Sequence, residues 1–286
     1  MADDTSTKLV IVDPSGDVLL IVGPQKQEVQ VSSKGLSLGS KVFQAMFSQH
    51  YNEGTELRAS EQLYRLPLPD DEPQNMITLC KVLHVNHEGL DLSADIEKLK
   101  AFAIIADKYG CFAASSFFLT VWKSKFAAPT TLDHGGLMML AYLSNDALAF
   151  RYHSQRLLSR WNGGFQHCQT VIDATETLPK EIFALLGTRR SELEQRLALV
   201  LMNPITRLLP CNSTISPRKS SEHSEMGAAC MCGASKIYAH LRNLNLLKLW
   251  PVEPSGWDLD ECLKSLSEFP ERDVKGELGL RKDLSP

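Results

Sequence analysis

The sequence lacks what a membrane or secreted protein would need. No unbroken apolar run approaches the roughly 20 residues of a membrane-spanning helix. The opening Met1-Ala-Asp-Asp-Thr5 is acidic and polar, so no secretory signal is expected there. Seven cysteines among 286 residues are too few for a disulfide framework, and odd in number. They are expected to be reduced thiols of an intracellular protein, cytoplasmic or nuclear. Neither sign of charge is in excess: 30 Lys and Arg against 34 Asp and Glu give a net of −4. Residues 1–126 hold 12 basic and 16 acidic side chains, and residues 127–286 hold 18 of each. Neither half carries the basic surplus that a row of phosphates demands, so no direct nucleic-acid partner is expected, and no membrane partner. Also missing are a nucleophile elbow, a phosphate loop, a His-Glu-x-x-His zinc motif and a dinucleotide fingerprint. No catalytic residue and no cofactor site is therefore nominated, and an enzyme is not expected.

What is present is an ordinary globular balance, 43% hydrophobic and 22% charged, in a chain long enough for two compact units. Val18–Val22 reads as a buried strand closed by Gly23-Pro24, and Gln27–Ser32 alternates as its hairpin partner. Ser40 stands as an N-cap before Val42, Phe43, Met46 and Phe47 at helical spacing. Leu63–Leu66 is a short strand ending at Pro67, and Asp70-Asp71-Glu72-Pro73 starts a helix with acidic residues and a first-turn proline. Ser93 is expected to cap the next helix, which Gly110 stops, and residues 112–122 form one more. Residues 16–126 thus read as an α+β domain, short strands with a helix cluster, preceded by a separate segment at 1–15. Ala127–Thr131 is the expected boundary.

Beyond it the chain reads as all helix. The C-terminal region is set at 132–272, with a polar loop at 212–226 and a charged tail at 273–286. Helices are expected at Leu137–Leu143, Leu148–Trp161 and Lys180–Leu186. A longer one follows, carrying Leu193, Leu197, Val200, Leu201, Ile205 and Leu208, with a kink or break at Pro204. Asp133-His134 is expected to cap the helix starting near Leu137.

The ordered elements of the first half carry a resemblance. Gly16-Asp17-Val18, Val31-Ser-Ser-x-x-Leu36, Ser40-x-Val-Phe43-x-x-Met46-Phe47, Glu53-Gly54, Leu66-Pro-Leu-Pro-Asp-Asp71, His84 and Ala106-Asp-Lys-Tyr-Gly-Cys111 together resemble a BTB/POZ domain, of the type found in filamentous fungi. The resemblance implies a non-enzymatic protein–protein interaction module with other proteins as partners. Its sharper form is a substrate adaptor that docks on a cullin-type ubiquitin ligase. The alternative is a scaffold acting by self-association, as a homodimer, in transcription-related complexes. Cullin-binding members place a hydrophobic-x-Glu element where this chain has Tyr51-Asn52-Glu53, so Tyr51 and Glu53 are the expected partner-binding residues. The dimer pocket of animal members implies Asp17 with a basic residue, for which this chain has Lys34 one position late.

Cys211, His223, Cys230 and Cys232 are the only potential metal constellation, and they make a poor one. Zinc sites are usually built from two close ligand pairs, and only Cys230-x-Cys232 is close here. Ordinary thiols are the expected reading of these residues, and core thiols that of Cys80, Cys111 and Cys262.

Overall fold

A central strand is buried on both faces, whereas its neighbours alternate, and the burial of each strand follows its place in the sheet. The computed structural model describes residues 9–161, 163–172, 177–208, 231–249 and 258–268. Its sheet has four strands: β1 (Val10–Ile11), β2 (Val18–Val22), β3 (Gln27–Val31) and β4 (Tyr64–Leu68), in the order β1-β3-β2-β4. Hairpin β2–β3 is antiparallel with Leu20 opposite Val29, while β4 runs parallel to β2 with Leu66 opposite Leu20. Pro67 is tolerated because β4 is an edge strand, where a missing N–H need not break a ladder. Strand β1 pairs in parallel with β3, and Val12 just after it is buried. The segment 1–15 therefore contributes a strand to the domain expected to begin at 16. A two-residue strand has too few positions to show a period.

Six helices complete the domain: α1 (Ser33–Gly39), α2 (Lys41–Met46), α3 (Asn52–Ala59), α4 (Pro73–Leu83), α5 (Ile96–Lys108) and α6 (Phe112–Lys123). Helix α2 starts as its sequence predicts: the Ser40 hydroxyl accepts from the Phe43 N–H at 3.0 Å. Helix α4 has Pro73 at its start and Glu72 as N-cap. The cap of α5 is Asp95, not Ser93: its carboxylate accepts from the Glu97 and Lys98 amides. The Ser93 carbonyl instead receives the Trp122 indole N–H at 2.7 Å. Gly110, at φ +62°, follows the end of α5 in the left-handed conformation that glycine adopts without strain. Phe102, Phe118 and Trp122 form an aromatic cluster between α5 and α6, with ring centroids 5.1 to 5.9 Å apart.

Helix α7 (Thr131–Leu143) begins six residues before the expected start. Thr130 is its N-cap, and Asp133 completes a capping box with it. His134, Gly135 and Gly136 lie inside the helix rather than before it. The glycines are there for space: a Cβ on Gly136 would stand 2.3 Å from Ile96 of α5, and one on Gly135 would stand 2.4 Å from Ile172. This close approach sets Leu137 and Leu140 into the same core as the sheet and α5. Residues 127–131, expected to divide two domains, therefore join α6 to α7 inside one compact unit, which takes in the chain through Ser154 and Ile172–Leu178.

The second unit, Gln155–Val171 and the chain from Pro179, is built of helices among the described residues. These are the end of α8 (Ala147–Arg160), α9 (Phe165–Ile172), α10 (Lys180–Leu208), α11 (Met231–Leu246) and α12 (Leu259–Glu268). Arg190 of α10 donates to the Leu158 and Ser159 carbonyls and to Glu194, so it satisfies the open C-terminal end of α8. Arg156 and Arg160 both bind Asp260 of α12 at 3.1 Å. Helix α10 runs through Pro204 as one helix. His240 of α11 donates from Nε2 to the Leu201 carbonyl at 2.7 Å, in the turn that the proline weakens. Among the described residues no helix is long and apolar enough to cross a membrane. The polar loop at 212–226 and the charged tail at 273–286 lie outside the described residues, as do Met1–Lys8.

The Phe43 ring is fully buried and stacks on Tyr109 at 4.5 Å and on Phe47 at 5.8 Å. Phe43→Ala should destabilise the protein by about 3–5 kcal/mol. In α6 it is Phe118 that packs inward, whereas Phe117 is 74% exposed. Phe117→Ala should therefore change stability by no more than about 0.5 kcal/mol. Denaturant midpoints of the two variants check both values, and equal shifts would refute this placement of the rings.

Candidate partner-binding site

Helix α3 follows α2 after a short turn, and three features fix its start. Tyr51 is the N-cap in extended conformation, without a side-chain capping bond. Gly54, one turn in, presses on the backbone before it: a Cβ there would stand 1.9 Å from the Ser48 carbonyl oxygen. Arg58, at the far end, donates back to the Phe47 carbonyl at 3.3 Å. The glycine is thus required by contact, and it holds Tyr51 and Glu53 at the junction of α2 and α3.

The Tyr51 side chain projects outward, with the residue 54% exposed. Glu53 lies in the first turn of α3, where unpaired amides and the helix dipole favour a carboxylate. Among the described residues Glu53 accepts no side-chain hydrogen bond and forms no ion pair, whereas Glu56 one turn on is engaged by the Tyr64 hydroxyl at 3.1 Å. That contact has an electrostatic cost: burial, reinforced by Glu56, pushes the Tyr64 phenol up to about 12. The structure therefore brings Tyr51 and Glu53 together as an exposed ring beside an available carboxylate. Such a pair can enter an apolar groove and accept hydrogen bonds at its rim.

The other expected pair is not assembled. Asp17 accepts from the Ser33 amide at 2.7 Å and from the Ser33 hydroxyl at 2.6 Å, so its carboxylate caps the start of α1. Lys34 is exposed and forms no ion pair with it among the described residues. The N-terminal amides of α1 are nearer and already oriented, and they take the carboxylate that a lysine would otherwise pair. His84 completes this corner. Its Nδ1 donates to the Cys80 carbonyl at 2.7 Å and its Nε2 accepts from the Ser32 amide at 3.0 Å. Both ring nitrogens are thereby used, and His84 ties α4 to the start of α1.

Sequence reasoning missed an apolar surface on α1 and α6. Leu38 is 82% exposed, and its neighbour Gly39 lies against Leu83 and Ala114. Phe117 stands one turn beyond Ala114 on the same helix. Phe117 and Phe118 are adjacent and identical in type, so no local signal told the outward ring from the inward one.

Of the four potential metal ligands, Cys211, His223 and Cys230 lie outside the described residues, and so does the Cys232 side chain. Among the described residues no group of three or more His, Cys, Asp or Glu side chains could hold a metal ion. Cys80, Cys111 and Cys262 are buried thiols. Burial pushes each of them up, Cys111 to about 11.

Gly54→Ala tests the contact that positions the site. The added methyl must displace either α3 or the Phe47–Ser48 backbone, and should destabilise the protein by about 1–3 kcal/mol in a denaturant melt. An unchanged midpoint would show that the start of α3 is free to shift. No family model matches the chain, and neither a curated protein nor a solved structure matches it.

Proposed function

We propose that this chain is a non-enzymatic BTB/POZ-type interaction module that docks on a cullin-type ubiquitin-ligase scaffold through Tyr51 and Glu53, and so acts as a substrate adaptor. The observation that carries the reading is the junction of α2 and α3. It presents an exposed aromatic ring and an unengaged carboxylate two residues apart, on a helix start held by Gly54 and Arg58. The order of elements supports it as well: a hairpin, three short helices, an outer strand and then three helices follow the sequence motifs that resemble the family. On this reading the protein works in the cytoplasm or nucleus, needs no cofactor, and meets other proteins rather than nucleic acid or membrane.

A second reading, a self-associating scaffold in transcription-related complexes, is favoured by one observation: the exposed Leu38 and Phe117 on neighbouring helices. It does not draw on an Asp17–Lys34 pocket.

Calorimetric titration of the full chain with a cullin N-terminal domain tests the adaptor reading. Wild-type protein should bind with micromolar affinity. Glu53→Ala should weaken binding by about 1–3 kcal/mol with stability unchanged, and Tyr51→Ala by at least about 2 kcal/mol. No binding by wild type at tens of micromolar would sink the adaptor reading. A dimer in sedimentation, lost in Leu38→Asp, would then support the scaffold.

A further inference from the structure

Helices α7 and α8 meet through two histidines. The Nδ1 of His134, inside α7, lies 3.0 Å from the Nδ1 of His153, on α8. Their ring centroids are 5.3 Å apart, and the Tyr152 ring stands edge-on to both. His134 is 2% exposed and His153 half-buried, so bulk water does not separate the rings. At this distance one Nδ1 must carry a proton and donate while the other offers a lone pair. Only a pair with one neutral acceptor satisfies that. A proton added to the acceptor would turn two N–H groups against each other at hydrogen-bond distance, and would place a cation where little solvent can screen it.

We propose that the His134–His153 contact is an acid-sensitive latch, which holds the first two turns of α8 on α7 while the accepting ring is neutral and releases them when that ring is protonated. The surrounding charges are arranged for that role. Lys123, at the end of α6, opposes a cation on His153. Asp146, in the turn between α7 and α8, favours one, but its carboxylate is already used by the Ala149 amide at the start of α8. Asp133, one residue before His134, is likewise engaged, by Thr130. Burial, followed by His134 and Lys123, holds the His153 imidazole down at about 4 against an ordinary 6.5. A histidine whose pKa is lower in the packed state binds its proton more readily once released. The latch is therefore fully closed above pH 6.5, weakens as pH falls below that value, and has lost its contribution near pH 4. With His153 alone counted, the opening equilibrium should rise about twenty-fold between pH 7 and pH 5.

Hydrogen exchange of the full chain, followed by mass spectrometry and corrected for the intrinsic pH dependence of amide exchange, tests the latch. Peptides covering residues 131–143 and 147–154 should show this rise, and peptides from β2 and α2 should not. The double variant His134→Asn, His153→Asn keeps a neutral donor and acceptor near the two Nδ1 positions, and should lose the acid response. NMR of the imidazole nitrogens in wild-type protein gives a second readout that no variant can compromise. The His153 ring should titrate below 6.5 in step with the loss of protection. Three results would overturn the proposal: no rise in wild type, an undiminished rise in a double variant that is folded at pH 7, or a His153 ring that titrates near 6.5 while both helices stay protected.

Discussion

The first unit depends on what gathers around Tyr109, the last residue before the chain turns from α5 to α6. Its ring stacks on the buried Phe43, its carbonyl accepts the Ser40 hydroxyl at 2.6 Å, and its own hydroxyl donates to Asp71 at 2.6 Å. One residue thus joins the start of α2, the end of α5 and the loop between β4 and α4. Lys108 also reaches Asp71, at 2.7 Å, but its side chain is half in solvent. An exposed cation contributes at most about 1 kcal/mol, whereas a hydrogen bond to a buried carboxylate contributes about 1.5–3 kcal/mol. The hydroxyl of Tyr109, rather than the lysine, keeps the Asp71 carboxylate from being stranded. Its own phenol is pushed up by burial and then by Asp71, so it stays a donor across the neutral range.

From that anchored α2 the proposed docking site follows by short steps. Phe43 fixes the helix, the helix ends at Phe47, and Gly54 seats α3 against Phe47 and Ser48. Tyr51 and Glu53 are therefore held by backbone contacts rather than by their own side chains, which leaves the ring and the carboxylate available. A recognition pair built in this way loses little side-chain order that the fold itself needs, so binding and stability can be separated by mutation. Asp17 shows the opposite economy. Its carboxylate is committed to the start of α1, and its loss would be felt by the fold.

The second face of the unit is made by α7, and the glycine pair explains why. Side chains at 135 and 136 would hold α7 away from Ile96 and Ile172, and Leu137 and Leu140 would then fall short of the core. The same close packing buries His134, which lies next to Gly135. A buried histidine bonded through Nδ1 to a second one needs one of the two Nδ1 atoms free of a proton, and this need makes the pair sensitive to acid.

The sequence by itself determined the elements whose signals are local. The alternation of Gln27–Val31, the acidic start before Pro73, the Ser40 cap and the stop at Gly110 each depend on residues within one or two turns, and each was legible. Only the tertiary structure decided what depends on a distant neighbour. The strand at Val10–Ile11 exists because β3 offers it an edge. Asp133-His134 reads as a cap ahead of a helix near Leu137 until opposing isoleucines make Gly135 and Gly136 contacts inside that helix. Asp17 binds Ser33 rather than Lys34 because the amides of α1 reach it first. Phe118 rather than Phe117 packs inward, a choice set by the rotation of α6 on α5. Tyr51 and Glu53 were legible as residue types. That one is exposed and the other unengaged follows from the seat that Gly54 finds on the backbone of residues 47–48. Propensity and periodicity describe a segment in water beside its own neighbours, whereas pairing, burial and the fate of a carboxylate are settled by which other segment arrives.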